Sequence, residues 1–252
     1  MNENELKVLD IIKQSQADHA TSLYISEMEL ETVPDSIGEL VDLVWLYLSE
    51  NQLTDLPMAI AKLQNLSWLH LECNKFAEIP KVVMTLKNLT VLNLAENQIE
   101  CLPPNMQELS LLARLDANNN QLTCLPPSIK FLKFLTWLDL CENRLEYLPP
   151  EISFLVSLTE CDLRYNRLTV IPPEIGYLVN LTELYLGYNQ IVAIPPEIGL
   201  LTNLRELDLS HNCLTHLPKE ISQLKNLERL DLRGNDIDLS SLSNLQRGIV
   251  LV

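Results

Sequence analysis

The side chains that could do chemistry are few, and their spacing says more than their number. Six cysteines stand at Cys73, Cys101, Cys124, Cys141, Cys161 and Cys213, with no Cys-x-x-Cys pair and no cysteine–histidine cluster of the zinc-binding kind. Cys101 and Cys124 hold the same place before a Leu-Pro pair. In adjacent repeats their Cα atoms would lie about 5 Å apart, within disulfide reach, but two reduced thiols are the simpler expectation. The histidines, His19, His70, His211 and His216, are scattered. Asp208, Ser210 and His211 sit close enough to suggest an activated nucleophile, yet nothing near them supplies an oxyanion donor or a pocket. There is no Gly-x-x-x-x-Gly-Lys phosphate loop and no Gly-x-Ser-x-Gly elbow among only six glycines. Asp116, Asp139 and Asp162 recur at a fixed step, but no calcium-loop pattern accompanies them. The expectation is a protein that is not an enzyme and holds no cofactor and no metal.

The fixed step is the larger signal. Asparagine recurs every 23 residues from Asn51 to Asn235, and proline every 23 from Pro34 to Pro218. The other five of the 14 prolines each follow one of those directly. Leucine accounts for 54 of the 252 residues, a length one short of eleven units of 23. Self-similarity at one period of this size means a solenoid.

One unit explains itself. Leu184 and Leu186 alternate with Glu183, Tyr185 and Gly187, which is the period-two pattern of a short strand with one apolar face. Asn189 follows at the turn, where its amide can both donate to and accept from backbone groups. Ile191 and Ile194 point back to the core, and Pro195 and Pro196 fix an extended exit. Ile198, Leu201 and Leu204, spaced by three, suit a short 3₁₀ segment. No unit can bury its leucines alone, so stacking builds the core.

Ten such strands are expected, with Met28 replacing the first asparagine and Ala117 and Cys161 as smaller core residues. Three regions follow: an N-terminal capping helix within 1–20, a solenoid over 21–238, and a C-terminal cap or truncated repeat over 239–252. Leu6, Leu9 and Ile12 are expected to cover the first repeat. Ser240 and Ser241 stand where Leu-Pro is due, and the tail Gly248–Val252 either folds over the last repeat or leads into further chain.

The motif Leu-x-x-Leu-x-Leu-x-x-Asn, as in Leu181, Leu184, Leu186 and Asn189, is the leucine-rich-repeat signature, and it runs over residues 21–238. The fuller unit resembles the 23-residue class found in intracellular Ras-associated scaffolds, plant Ras-group repeat proteins and the repeat regions of Roco GTPases. The fold expected is α/β: a right-handed leucine-rich-repeat solenoid, or horseshoe, with ten parallel strands on the concave face and short helical or 3₁₀ segments on the convex face. The resemblance implies a monomeric, non-enzymatic interaction module or scaffold for a protein partner such as a small GTPase. It also allows a sensor or autoregulatory domain of a Roco-type GTPase, which a reading frame continuing past Val252 would favour. A bacterial effector imitating host scaffolds is a third reading. Extracellular relatives carry cysteine-rich caps and this chain does not, so a cytoplasmic setting is expected, or a host cytoplasm for an effector. The start is not a basic-then-apolar leader, and no run of eighteen apolar residues is present.

With 18 basic against 34 acidic residues the net charge is −16, which disfavours nucleic acid and anionic membranes as partners. The sheet face carries much of it. Four outward positions per strand over ten strands hold 13 acids and 4 arginines, a difference of −9. One patch there is aromatic, with Trp45 and Trp68 flanked by Tyr47 and His70. Exposed tryptophan and tyrosine make binding hot spots. The other patch is acidic, with Asp116, Asp139 and Asp162 consecutive in one column, near Glu160, Trp137 and Tyr185. Like charges about 5 Å apart repel, and a basic peptide segment would relieve them. The expected partner-binding set is therefore Trp45, Tyr47, Trp68, His70, Asp116, Trp137, Asp139, Glu160, Asp162 and Tyr185.

Overall fold

The computed structural model describes residues 3–238 and 250–251. Period-two leucines give three-residue strands: β1 (Ser22–Tyr24), β2 (Trp45–Tyr47), β3 (Trp68–His70), β4 (Val91–Asn93), β5 (Arg114–Asp116), β6 (Trp137–Asp139), β7 (Glu160–Asp162), β8 (Glu183–Tyr185), β9 (Glu206–Asp208) and β10 (Arg229–Asp231). They pair in parallel, each with the next, in an unbroken 23-residue register, as in Trp45 opposite Trp68 and Arg114 opposite Trp137. The middle residue of every one of these strands is buried. Ala117 and Cys161 are buried where leucine otherwise stands, so they are smaller core residues as expected.

The strand count differs from the expected ten. An eleventh, β11 (Val250–Leu251), pairs in parallel with β10, with Leu230 opposite Val250 and Asp231 opposite Leu251. Its step from β10 is 20 residues, not 23. Pairing satisfies the open N–H and C=O groups that the β10 edge would otherwise present. The expected cap at 239–252 falls mainly outside the described residues, including Ser240, Ser241, Gly248 and Val252.

The asparagine ladder ties the repeats together. Asn143 Nδ2 donates to the carbonyls of Ala117, Leu140 and Cys141 at 2.8, 3.1 and 3.1 Å. Its Oδ1 accepts the Leu122 N–H at 2.9 Å. One buried amide thus serves two repeats, and the same pattern holds at the other rungs, as at Asn51 and Asn189. The first rung lacks its asparagine, and the Met28 N–H is bonded by Asn51 Oδ1 instead. The residue before each ladder position, Met28 included, is left-handed, with φ between 48° and 57° from Glu27 to His211 and φ 72° at Gly234. Such a φ costs an ordinary residue energy, and the ladder over-determines it.

On the other side, successive i→i+3 bonds form 3₁₀ turns. Ile198 N–H donates to Pro195 O, Leu201 N–H to Ile198 O, and Leu204 N–H to Leu201 O. Proline at the start costs nothing there, because the first N–H of a turn has no internal partner. The N-terminal helix α1 (Glu3–Ala17) lies against the first of these turns, Asp35–Glu39. Its buried face is Val8 and Ile12, with Ile11 beside them, while Leu6 is exposed. The step of four follows the 3.6-residue helical period, so of the three-residue stripe Ile12 stays in the interface, Leu9 is half-buried and Leu6 rotates out.

Candidate partner-binding surface

The pleat sends the first and third residues of every strand outward, and the 23-residue register stacks them into columns. In the aromatic patch this produces ring ladders. Tyr24 stacks on Tyr47 at 4.4 Å between centroids and Tyr47 on His70 at 4.7 Å. Trp68 lies 6.3 Å from the His70 ring on the same strand. Trp45 and Trp68 face each other across β2 and β3, and both are more than a third exposed, at 37% and 38%. Trp137 is drawn into the same neighbourhood. A hollow of about 250 Å³ is lined by Trp68, His70, Val91, Leu92, Asn93, Arg114, Asp116 and Trp137. Four residues expected in two separate patches, Trp68, His70, Asp116 and Trp137, therefore surround one depression.

Arg114 was absent from the expected set and is central to it: its guanidinium lies 4.5 Å from the Trp137 ring centroid. The signal available in the sequence was its place in the tryptophan column, one strand from Trp137.

The acidic column is less acidic than its composition. Asp162 is buried, and both its oxygens are held by Arg164, with Nε donating at 3.0 and 3.1 Å. The pairing also holds the guanidinium firmly charged, against the opposing effect of burial. Asp231 and Arg233 repeat the arrangement, and that hydrogen bonding holds the Asp231 carboxyl below its usual range. Burial pushes the Asp139 carboxyl up to about 7, with Asp116 and Asp162 adding to the effect and the Cys141 N–H and Arg164 opposing it. Burial also raises Asp116, although Asn118 donates to it from both its backbone and its side chain. Each aspartate in the run is thus turned to its own repeat, Asp116 to Asn118, Asp139 to Cys141 and Asp162 to Arg164, and not toward a shared centre. Among the described residues no group of three or more His, Cys, Asp or Glu is placed to hold a metal ion.

Glu160 lies half-buried on β7. Tyr185 donates its hydroxyl to Glu183 at 2.6 Å and approaches Glu206 at 3.3 Å. Burial, then those carboxylates, drive its phenol pKa upward. Arg164 lies over its ring at 4.9 Å. The structure thus separates Glu160, Asp162 and Tyr185 from the aromatic hollow and occupies two of the three with internal partners.

Asp208, Ser210 and His211 form no relay. Asp208 Oδ1 accepts the backbone N–H of Ser210, whose side chain is buried, and the His211 ring is stacked on Tyr188 at 4.2 Å. Cys101 and Cys124 are both free thiols. No helix among the described residues is long and apolar enough to cross a membrane. A second exposed apolar line was not anticipated. Phe131, Phe154, Tyr177 and Leu200 each close a 3₁₀ turn and stand exposed on the side opposite the sheet. Their 23-residue spacing was legible.

Comparison with known proteins agrees with this geometry. The leucine-rich-repeat family profile matches residues 18–76, 64–122, 133–191 and 179–237. No curated protein matches the chain. Among solved structures, a leucine-rich-repeat protein of Leptospira interrogans is 38% identical, with a TM-score of 0.88, over 91% of this chain and 60% of that one. The plant peptide hormone receptor RGFR1, in complex with RGF2, is 32% identical with a TM-score of 0.64, over 82% of this chain and 38% of that one. The functional domain of InlJ from Listeria monocytogenes is 25% identical with a TM-score of 0.67, over 90% and 52%. The chain thus spans less than two thirds of the length of each.

Proposed function

The chain belongs to the leucine-rich-repeat family, and on that premise we propose that it is a non-enzymatic protein-recognition module that holds its partner on the sheet face, across β1 to β6. One observation carries this reading: Trp45 and Trp68 stand exposed on adjacent strands, and Trp68 lines a hollow that Trp137 lines as well. Rigid rings with their faces open to water supply large apolar contact at small entropic cost, which is how interface anchors work. The ladder of Tyr24, Tyr47 and His70 keeps the neighbouring rings in fixed positions, so the surface is preorganised. The face's acidic excess steers a partner with basic groups toward it, while the apolar contact holds it. The similarity to a receptor solved with RGF2 supports a protein or peptide occupant.

The test is capture of partner protein by the tagged chain, compared with a Trp45→Ala, Trp68→Ala double variant. Each truncation is expected to cost about 2 kcal/mol or more of binding, as hot-spot tryptophans do. Thermal stability should move little, because both rings are already partly in water. Retained capture by the double variant, or a large loss of stability, would show the rings to be structural.

A further inference from the structure

From β2 to β6 the first outward column of the sheet is a stretch of five rungs, Trp45, Trp68, Val91, Arg114 and Trp137. Every rung but one carries a flat group, and the exception is Val91. In the neighbouring columns, tyrosine and histidine rings on adjacent rungs stack at 4.2 to 4.7 Å, close to one strand spacing. Trp68 and Arg114 flank Val91 and are two strand spacings apart, about 10 Å. That separation leaves room for one more planar group, in contact with a plane on either side.

We propose that the hollow over Val91 seats a single aromatic side chain of the partner, a tyrosine or tryptophan, as the missing rung between the Trp68 indole and the Arg114 guanidinium. The inference rests on the reading of the sheet face as the partner surface, and it names the chemistry that face selects.

The walls choose an aromatic ring. Arg114 is backed by Trp137 at 4.5 Å and also lines the hollow, so it offers a cation to a ring face. Trp68 offers an offset stack from the other side. An incoming lysine or arginine would meet Arg114 as a like charge, and an aliphatic side chain would use neither wall. The hollow's edge chooses a ring with a donor. His70 Nε2 is buried and has no hydrogen-bond partner. Glu72 Oε2, 3.3 Å from His70 Nδ1, is likewise buried without a hydrogen-bond partner, so the pair keeps an open acceptor on the carboxylate. A tyrosine O–H or an indole N–H supplies the missing donor and phenylalanine does not. Asn93 and Asp116 complete the polar edge.

The probes are N-acetyl amides of tyrosine, tryptophan, phenylalanine and leucine, titrated into the full chain while its three indole N–H resonances are followed by NMR. The expected result is saturable movement of the Trp68 and Trp137 signals, strongest for the tyrosine and tryptophan amides, weaker for phenylalanine and least for leucine. Val91→Trp, which fills the rung from within, should abolish the response. Arg114→Ala should weaken it about tenfold. No movement at the solubility limit, an equal response to the leucine amide, or an unchanged response in Val91→Trp would overturn the proposal. Partner capture keeps the two readings apart. If Val91→Trp still captures the partner while the Trp45→Ala, Trp68→Ala variant does not, the rung is wrong and the face is right. If both capture it, the face is wrong as well.

Discussion

Replacing Asp139 by asparagine should stabilise the protein, and only above mildly acidic pH. Asp139 sits between Asp116 and Asp162 in one column, and burial together with those two neighbours lifts its carboxyl from 3.8 to about 7. A group whose pKa is raised on folding binds protons more tightly in the native state. Between the two values the folded protein holds the proton and the unfolded chain has lost it, so stability falls as pH rises through that window. The gap is roughly 3 units, and at about 1.36 kcal/mol each the full penalty is about 4 kcal/mol. Partial access to water lowers the expected figure to about 2–4 kcal/mol. Asparagine keeps an oxygen for the Cys141 N–H, which Asp139 accepts at 2.9 Å, and removes the charge. Urea unfolding of Asp139→Asn and wild type should therefore differ by about 2–4 kcal/mol near pH 8 and by less than about 0.5 kcal/mol near pH 4. Equal stabilities near pH 8, or the same gain at both values, would refute the reasoning.

Two further predictions concern the frame that holds the face. Asn143→Ala strands the buried Leu122 N–H and removes three donations, so it should cost about 3 kcal/mol in chemical denaturation, and a loss under about 0.5 kcal/mol would show the ladder to be redundant. Ile12→Ala should cost about 2–4 kcal/mol while Leu6→Ala stays within about 0.5 kcal/mol, and the reverse order would restore the three-residue stripe as the helix's packing face.

The repeat was legible because its markers are tied to backbone geometry. Asparagine must recur where one amide bonds two turns, and proline where a turn begins without a donor, so both print the period into the chain. The columns followed from the period, and with them the pairing of Trp45 with Trp68. Side-chain partnerships within a strand did not follow as readily. Asp162 and Arg164 are two residues apart and share a face, as do Asp231 and Arg233, and that Asp-Leu-Arg pattern was available as a warning that these acids are spoken for. The rise at Asp139 was hidden, because it depends first on burial, which a column of letters does not carry. The helix interface turned on a rotation of one residue. The hollow exists because Val91 is a short rung between Trp68 and Arg114, a difference of side-chain reach that the repeat pattern does not display.

Two tyrosines of nearly equal exposure report which side of the solenoid the partner occupies. Tyr24 continues the aromatic ladder of the sheet face and is 65% exposed, and Tyr177 stands on the opposite, 3₁₀ side at 66%. Each is replaced in turn by a photo-cross-linking benzoylphenylalanine, and the two chains are irradiated with the captured partner. A partner on the sheet face gives a covalent adduct from position 24 and none from position 177. An adduct from position 177 alone would place the partner on the apolar line of Phe131, Phe154 and Leu200 and contradict the sheet-face reading.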